Sequence, residues 1–234
     1  MREYRNIQII FATGNQGKIR EIREIIRSSG RKDLNIEVLS MREADAFADP
    51  DENGKVFEDN ALIKAQAVYD LLLSRPVPGD TVRIVMSDDS GLEIDALGGA
   101  PGVHSARYMG YDTDYRLRME HLIDLLEDVP EEKRTARFVA AVAAILPQEY
   151  SSMLSAPYHE DSNYPGEIRL VVRAAMEGRI AHTIAGENGF GYDPFFYLPQ
   201  YGKTSAEISP EEKNSISHRG KALRNMLAKL ALLI

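Results

Sequence analysis

The first forty residues place an apolar segment, a glycine-rich turn and a helical repeat in succession, and this order restricts the fold more than any other feature. The segment NIQIIFAT (6–13) is short, β-branched and apolar, which predicts a buried strand. After it, Ile19, Ile22 and the pair Ile25–Ile26 recur at helical spacing, and Gly30 is placed to end the helix. Strands and helices that follow each other in this way predict an α/β fold.

Later segments continue the alternation of strands and helices. Residues 136–146, ARFVAAVAAIL, have the composition of a helix, but their position after EEKRT and their Phe-Val and Ile-Leu ends favour a strand. A turn is predicted near Gly178. Asp59 or Asn60 is expected near the start of a helix. The other predicted strands are 34–40, 82–87 and 167–180, and the other helices are 57–73, 113–129 and a C-terminal segment.

Composition limits the class of protein. The 234 residues suit a single domain over 1–234, and the Pro-, Ser- and Tyr-rich segment 147–166 is predicted to be a surface insertion. The absence of cysteine excludes thiolate chemistry and disulfides. The net charge of −8 argues against a nucleic-acid-binding surface. No apolar run approaches the roughly 20 residues of a membrane span, and the first residues lack a signal-peptide pattern, so we expect a cytoplasmic protein without membrane contact.

The first chemical motif is ATGNQGKI, residues 12–19. A glycine-rich loop at the start of a helix directs free N–H groups at an anion. Thr13 and Asn15 add side-chain donors, and Lys18 adds a positive charge. The motif is not a Walker A loop, because Ala12 and Ile19 stand where glycine and Ser/Thr are required. Taken alone, an ordinary strand–helix turn explains it equally well.

The second motif is SDDSG, residues 87–91, at the end of an apolar strand. Mg²⁺ prefers oxygen ligands, typically one or two carboxylates with water and phosphate oxygens, so a metal would relieve the repulsion between Asp88 and Asp89. Successive residues of a strand point to opposite faces. The two carboxylates therefore need not share one role, and either could orient or deprotonate a water. A solvated turn is the alternative for this motif alone.

Three further stretches carry candidate residues. In DENGKVFEDNALIKA, Glu52 or Asp51 could complete a metal shell, and Lys64 could reach phosphate. Taken singly, each of these residues is more often a solvated surface charge. In GENGFGYDPFFY, Phe190 offers a ring on which a base could stack.

The third of these stretches is SPEEKNSISHRG. Ser209 to Glu212 form a predicted capping box. At about 100° per residue, a single helix would point Lys213, His218 and Arg219 in separate directions, so a break near 215–217 is predicted, with Ser217 capping a second helix.

Four separated motifs together resemble a known family. FATGNQGKIREI, SDDSGLEIDALGGAPGVHSARY, GFGYDPFF and EEKNSISHRGKAL are similar to motifs of the inosine triphosphate pyrophosphatase family (XTP/dITP diphosphatases), and the resemblance runs from about residue 7 to residue 230. It implies hydrolysis of ITP, dITP or XTP to the monophosphate and pyrophosphate, with Mg²⁺, in a homodimer. It also implies an elongated mixed β-sheet flanked by helices, with two lobes and a central cleft.

The resemblance also implies roles for individual residues. Asp89 would be the general base and, with Glu52, a metal ligand. Asp88, on the opposite face of the strand, would then bond backbone N–H groups or a lysine. Phe190 would stack on the base, and Lys213, His218 and Arg219 would read it. The remaining residues implied to bind substrate are Thr13, Gly14, Asn15, Gln16, Gly17, Lys18, Lys64, Ser90, Gly191, Tyr192 and Asp193.

The chemistry of the bases agrees with these roles. Hypoxanthine and xanthine carry a 6-oxo acceptor, whereas adenine carries a 6-amino donor, so donors from lysine, arginine and histidine would favour the former. Two other functions stay open from the sequence: a related pyrophosphatase that acts on modified pyrimidine or standard triphosphates, and a nucleotide-binding regulator without catalysis.

Overall fold

The computed structural model describes residues 6–158 and 161–232, in which helices and strands alternate along the chain. The α/β class predicted from the sequence is confirmed. The elements are β1 Asn6–Phe11, α1 Gln16–Ser29, β2 Asn35–Ser40, α2 Phe57–Leu72, β3 Thr81–Ile94, α3 Tyr115–Leu125, β4 Thr135–Pro147, β5 Glu167–Ile180, β6 Phe196–Leu198, β7 Lys203–Thr204, α4 Pro210–Ile216 and α5 His218–Lys229.

The seven strands form one mixed sheet in the order β2-β1-β3-β4-β5-β6-β7. β1 pairs with β2 and with β3 in parallel, whereas β6 pairs antiparallel with β5 and with β7. Phe11, the last residue of β1, is in register with Met86 of β3, and Ala12 N–H donates to the Met86 carbonyl at 2.7 Å. The loop after β1 therefore begins beside the point where β3 becomes polar.

The described chain divides into two compact units. The first contains residues 6–89, 141–158, 161–173 and 222–232, and the second contains residues 90–140 and 174–221. In the first, α1 buries its predicted isoleucine stripe, Ile19, Ile22, Ile25 and Ile26. In the second, the buried core contains the rings of Phe138, Phe195 and Phe196. Burial of such stripes and rings supplies most of the free energy that holds each unit together.

Two local expectations had different outcomes. The strand favoured for residues 136–146 is confirmed, since β4 spans Thr135–Pro147 and buries nearly every side chain. The turn predicted near Gly178 is wrong, because β5 continues through Gly178 to Ile180. A Cβ atom at Gly178 would lie 2.6 Å from the ring of Phe196. Glycine is required there for close approach of the ring, which sequence cannot distinguish from a turn.

The described residues of the segment 147–166 belong to the first unit. Gln148–Met153 forms a 3₁₀ turn, and the N–H of Gln148 donates to the Gly166 carbonyl at 2.9 Å, which joins the two ends of the segment. His159 and Glu160 of this predicted insertion lie outside the described residues. The single-domain assignment and the role of the insertion stay predictions.

Within the described ranges, no helix combines the length and the apolar character that crossing a membrane requires.

Candidate functional site

The loop between β1 and α1 exposes the backbone at the start of a 14-residue helix. Asn15 is its N-cap, and its side-chain oxygen accepts from the Lys18 N–H at 3.1 Å. Thr13 Oγ1 accepts from the Asn15 N–H at 3.2 Å. Gly14, Asn15, Gln16 and Gly17 are exposed, as an anion-binding helix start requires. The asparagine side chain therefore stabilises the loop itself, a role that the sequence analysis did not assign to it.

Asp88 is buried and bonded to a lysine, one of the two kinds of partner expected for it. The Lys18 ammonium group donates to Asp88 Oδ1 at 3.1 Å and to Oδ2 at 3.0 Å. The side chain of Asp88 has no solvent exposure. This ion pair ties the loop after β1 to β3. The positive charge of Lys18, which the sequence predicts to bind an anion, is therefore already paired with a carboxylate.

Asp89 belongs to a second ion-pair network with different partners. The Lys64 ammonium group lies 2.7 Å from Asp89 Oδ1 and 3.0 Å from Glu52 Oε2. Glu52 and Asp89 are 37 residues apart in sequence, and the fold brings both carboxylates to one nitrogen atom. We call Lys18, Glu52, Lys64, Asp88 and Asp89 the carboxylate cluster.

The environment of the carboxylate cluster shifts the pKa of two of its members. Burial raises the pKa of Asp89, and this outweighs the lowering effect of its bond to Lys64. Burial alone would lower the pKa of Lys64, but the charges of Asp89, Asp88 and Glu52 raise it above its ordinary value. Three carboxylates against two ammonium groups leave the cluster with an excess of negative charge, which favours an additional cation.

Asn60 belongs to this site, although its sequence position does not predict such a role. Its Nδ2 atom donates to Asp89 Oδ2 at 3.4 Å, and its Oδ1 atom accepts from the Gly54 N–H at 2.8 Å. It is 1% exposed. The sequence predicts only that Asn60 lies near the start of α2. That helix begins at Phe57 without a side-chain cap. The available signal was its spacing of four residues from Lys64, which places both on one helix face.

The carboxylate cluster fits a divalent cation with oxygen ligands. Within residues 6–158 and 161–232, no three His, Cys, Asp or Glu side chains form a metal site by themselves. Glu52 and Asp89 nevertheless both bond a single cationic nitrogen, so they lie close enough to share a positive charge. Two carboxylates, with other positions left to water and phosphate oxygens, are typical of Mg²⁺.

A second group of candidate residues surrounds Phe190. The Asp193 carboxylate accepts from the Phe190 N–H at 2.8 Å, from Lys213 Nζ at 2.6 Å and from Ser205 Oγ at 2.9 Å. A Cβ at Gly189 would lie 2.3 Å from Asp193 Oδ2, so glycine is needed for this approach. Asp193 is buried and links the loop to α4.

The ring of Phe190 is 45% exposed and has two cations beside it. Lys213 Nζ is 5.3 Å and the Arg219 guanidinium carbon is 5.6 Å from its centroid. Arg219 also donates to Ser90 Oγ at 3.1 Å. We call Phe190, Asp193, Lys213 and Arg219 the Phe190 cluster. It combines an open aromatic face with hydrogen-bond donors, as recognition of a base with acceptor groups requires.

The predicted break in the C-terminal helix explains how Lys213 and Arg219 reach one ring. α4 ends at Ile216 and α5 begins at His218, and the Ser217 hydroxyl caps α5 by accepting from the Gly220 N–H at 3.0 Å. The capping box at Ser209 and Glu212 is also present. Both predictions are confirmed. His218, the first residue of α5, is 7% exposed and lies against the ring of Phe138.

Tyr192 and Gly191 have internal roles. The Tyr192 hydroxyl donates to the Ser105 carbonyl at 2.9 Å, and its ring meets that of Tyr115 edge-on at 5.1 Å. A Cβ at Gly191 would lie 3.4 Å from the Tyr115 ring, and φ at Gly191 is +65°. These contacts hold the loop that carries Phe190 in place.

Comparison with known proteins identifies the family. Residues 9–229 match the Ham1 family. A dITP/XTP pyrophosphatase of Geobacillus kaustophilus is 43% identical over 94% of this chain and 92% of its own, and one of Clostridium perfringens is 39% identical over 94% and 95%. The structure of a HAM1 protein from Coxiella burnetii has a TM-score of 0.75 at 34% identity, covering 96% of this chain and 98% of its own.

A second solved structure, the Ham1 protein of Staphylococcus aureus, has a TM-score of 0.72 at 34% identity and covers 96% of this chain and 98% of its own. The family resemblance predicted from the four motifs is confirmed. The match extends over nearly the whole length of each relative, so it includes both the carboxylate cluster and the Phe190 cluster. The chain belongs to the Ham1 family.

Proposed function

We propose that this chain hydrolyses dITP, XTP and ITP to the nucleoside monophosphate and pyrophosphate. The observation that carries the proposal is the convergence of Glu52 and Asp89 on Lys64, since phosphoanhydride hydrolysis needs carboxylates and cations at one place. Relatives with about 40% identity over nearly the full chain are named dITP/XTP pyrophosphatases. The function predicted from the sequence is the one for which these relatives are named.

Asp89 is the proposed general base. Its raised pKa increases its affinity for the proton of an attacking water. Asn60 and Lys64 hold its two oxygens, which fixes the direction in which the carboxylate can accept that proton. Glu52 and Asp89 would hold Mg²⁺. When bound, the metal would neutralise charge on the phosphate oxygens.

The start of α1 and the exposed residues 14–17 before and within its first turn are proposed to hold the triphosphate, together with Lys18 and Lys64. The start of α1 supplies the partial positive charge of the helix. Each lysine would donate to a phosphate oxygen while it keeps its carboxylate partner, since an ammonium group has three N–H donors. The ion pairs with Asp88 and Asp89 therefore hold the two lysines in place for the triphosphate.

The Phe190 cluster is proposed to recognise the base. Phe190 would stack on the purine, and Lys213, Arg219 and His218 would donate to the 6-oxo group. Adenine presents a donor at this position, so the protein donors would be left without partners. Ser90 and Asp193 support this arrangement through Arg219 and Lys213. The homodimer and the cytoplasmic location stay predictions from the sequence.

The test is a pyrophosphate-release assay with Mg²⁺ over a panel of dITP, XTP, ITP, dGTP, dATP and dTTP. We expect pyrophosphate rather than orthophosphate as the product, with kcat/KM highest for dITP, XTP and ITP. Equal rates on dTTP would instead support a pyrophosphatase of broader range. Tight binding of ITP in saturating Mg²⁺ without turnover would contradict the proposal and favour a regulator.

A further inference from the structure

Phe138 lies directly against His218, although the two residues are 80 positions apart in sequence. Their ring centroids are 5.0 Å apart and their planes differ by 18°, which is a stacked arrangement. Phe138 is in β4 and is 7% exposed. On another side its ring contacts Phe196, with centroids 4.3 Å apart at 38°. Phe138 therefore lies between the core of the second unit and an imidazole of the proposed base site.

The backbone leaves the imidazole plane of His218 undetermined. Ser217 caps α5 and fixes the helix start, but the second side-chain torsion of histidine has a broad, two-fold profile. Both ring nitrogens lie in the plane of the imidazole and exchange hydrogen bonds in that plane. The contact that fixes the plane therefore also fixes the direction in which His218 can reach a ligand.

Phe138 has the geometry to provide that contact. A stacked aromatic neighbour favours one ring plane over others by an amount comparable with other aromatic pairs. The adjacent residue, Arg219, lies beside Phe190 and donates to Ser90 Oγ, so the start of α5 faces the proposed base site. Phe138 has no polar atom, so it cannot itself make a hydrogen bond to the base.

We propose that Phe138 is a positioning residue that sets the plane of the His218 imidazole for recognition of the purine base. The inference rests on the proposed function, because that function gives His218 its role. Phe190 and Phe138 would then have different roles. The Phe190 ring binds the base by its face, whereas Phe138 acts indirectly and aligns a hydrogen-bonding group at the edge of the base.

The test compares two leucine variants of the same aromatic core. Phe138→Leu removes the stacked ring but keeps an apolar side chain. Phe196→Leu makes the same change at a residue that contacts Phe138, and it leaves the Phe138–His218 pair in place. We expect Phe138→Leu to raise the KM for dITP about three- to tenfold with little change in kcat. Phe196→Leu is expected to change KM by less than about twofold.

A spectroscopic measurement separates positioning from catalysis. The ring protons of His218, assigned by NMR with a His218→Gln sample, should be shifted upfield by the ring current of Phe138. They should move toward the positions of free histidine in Phe138→Leu but not in Phe196→Leu. Phe138→Met, which also lacks a ring, is the second variant if the leucine variant does not fold.

Unchanged His218 resonances in a folded Phe138 variant would overturn the inference, as would equal increases of KM in the two leucine variants. Failure of the proposed function is a separate result. It would appear as a wild-type protein that releases no pyrophosphate from dITP, and the NMR shifts would still decide whether Phe138 positions His218.

Discussion

Asp88 and Asp89 are consecutive residues of β3, yet each bonds a different lysine. Asp88 bonds Lys18 at 3.0 Å with no side-chain exposure, and Asp89 bonds Lys64 at 2.7 Å with 12% exposure. Successive side chains of a strand point to opposite faces, which separates two carboxylates that would otherwise repel each other. We therefore expect the two aspartates to respond differently to the same substitution.

Asp89→Asn is expected to abolish catalysis with retention of the fold. The amide cannot take a proton from water, and loss of a proton acceptor of this kind typically costs a factor of about 10²–10⁴ in rate. The measurement is kcat for pyrophosphate release from dITP, with circular dichroism to verify folding. Turnover within about tenfold of the wild type would contradict the assignment of Asp89 as the base.

Asp88→Asn is expected to reduce stability instead. Breaking a buried ion pair costs about 3–5 kcal/mol because the partner charge stays buried, and the amide oxygen still accepts one hydrogen bond, so the low end is expected. For a chain of this length this corresponds to a fall in Tm of roughly 6–12 °C. Thermal unfolding of both aspartate variants measures the difference. A larger fall in Tm for Asp89→Asn than for Asp88→Asn would contradict the division of roles.

Removal of Mg²⁺ is expected to abolish pyrophosphate release, and Glu52→Gln should raise the metal requirement. Loss of one of two protein carboxylates should raise the Mg²⁺ concentration for half-maximal rate by about tenfold or more. Asp49→Asn, an exposed residue of the same loop, is the matched control, since it removes an equal charge. The increase of Tm on addition of Mg²⁺ gives a reading without substrate. Equal Mg²⁺ dependence in the two variants would exclude Glu52 as a ligand.

Phe190→Ala is expected to weaken substrate binding with little effect on stability, because the ring is 45% exposed. A stacked base is worth about 1–3 kcal/mol, so the KM for dITP should rise about 5- to 150-fold. Phe190→Tyr keeps the aromatic face and should stay near the wild type. If Phe190→Ala and Phe190→Tyr had the same KM, Phe190 would not stack on the base.

The parts of this protein that could be predicted from sequence are those with local signals. The helix break at Ser217 follows from helical geometry and a capping hydroxyl, and both depend on residues within one turn. Long-range packing has no such signal. The stack of Phe138 on His218 and the close approach of Gly178 to Phe196 depend on strand pairing, so the first was missed and the second was interpreted as a turn.

The carboxylate cluster could be predicted from the sequence only in part. The motifs predict its charged members, and the alternation of strand side chains predicts separate roles for the two aspartates, with backbone N–H groups or a lysine as the partner of Asp88. The identity of each lysine was not predicted, because Lys18 and Lys64 are on different helices and either charge could serve phosphate. Asn60 was missed as a site residue because an asparagine early in a helix is commonly read as a cap, whereas here its side chain bonds Asp89.

The pH dependence of stability should report on Glu43, a residue outside the proposed site. Its Oε2 atom accepts from Arg23 Nη2 at 2.6 Å, from the Ser40 N–H at 2.8 Å and from Ser40 Oγ at 2.7 Å. The bond from Arg23, followed by those from Ser40, lowers the pKa of Glu43 to about 2 from an ordinary 4.5. A lowered pKa stabilises the fold above the ordinary value, and this contribution is lost as pH falls from 4.5 toward 2.

Glu43→Gln removes this contribution at every pH. Because the side chain is 45% exposed, solvent screening limits the loss at neutral pH to about 1 kcal/mol or less. The difference in Tm between the wild type and Glu43→Gln should therefore be small near pH 7 and should shrink as the pH is lowered through 4. Glu37→Gln, on the preceding strand β2, is the control. A difference in Tm that grows on acidification would show that the ionised form of Glu43 does not stabilise the fold.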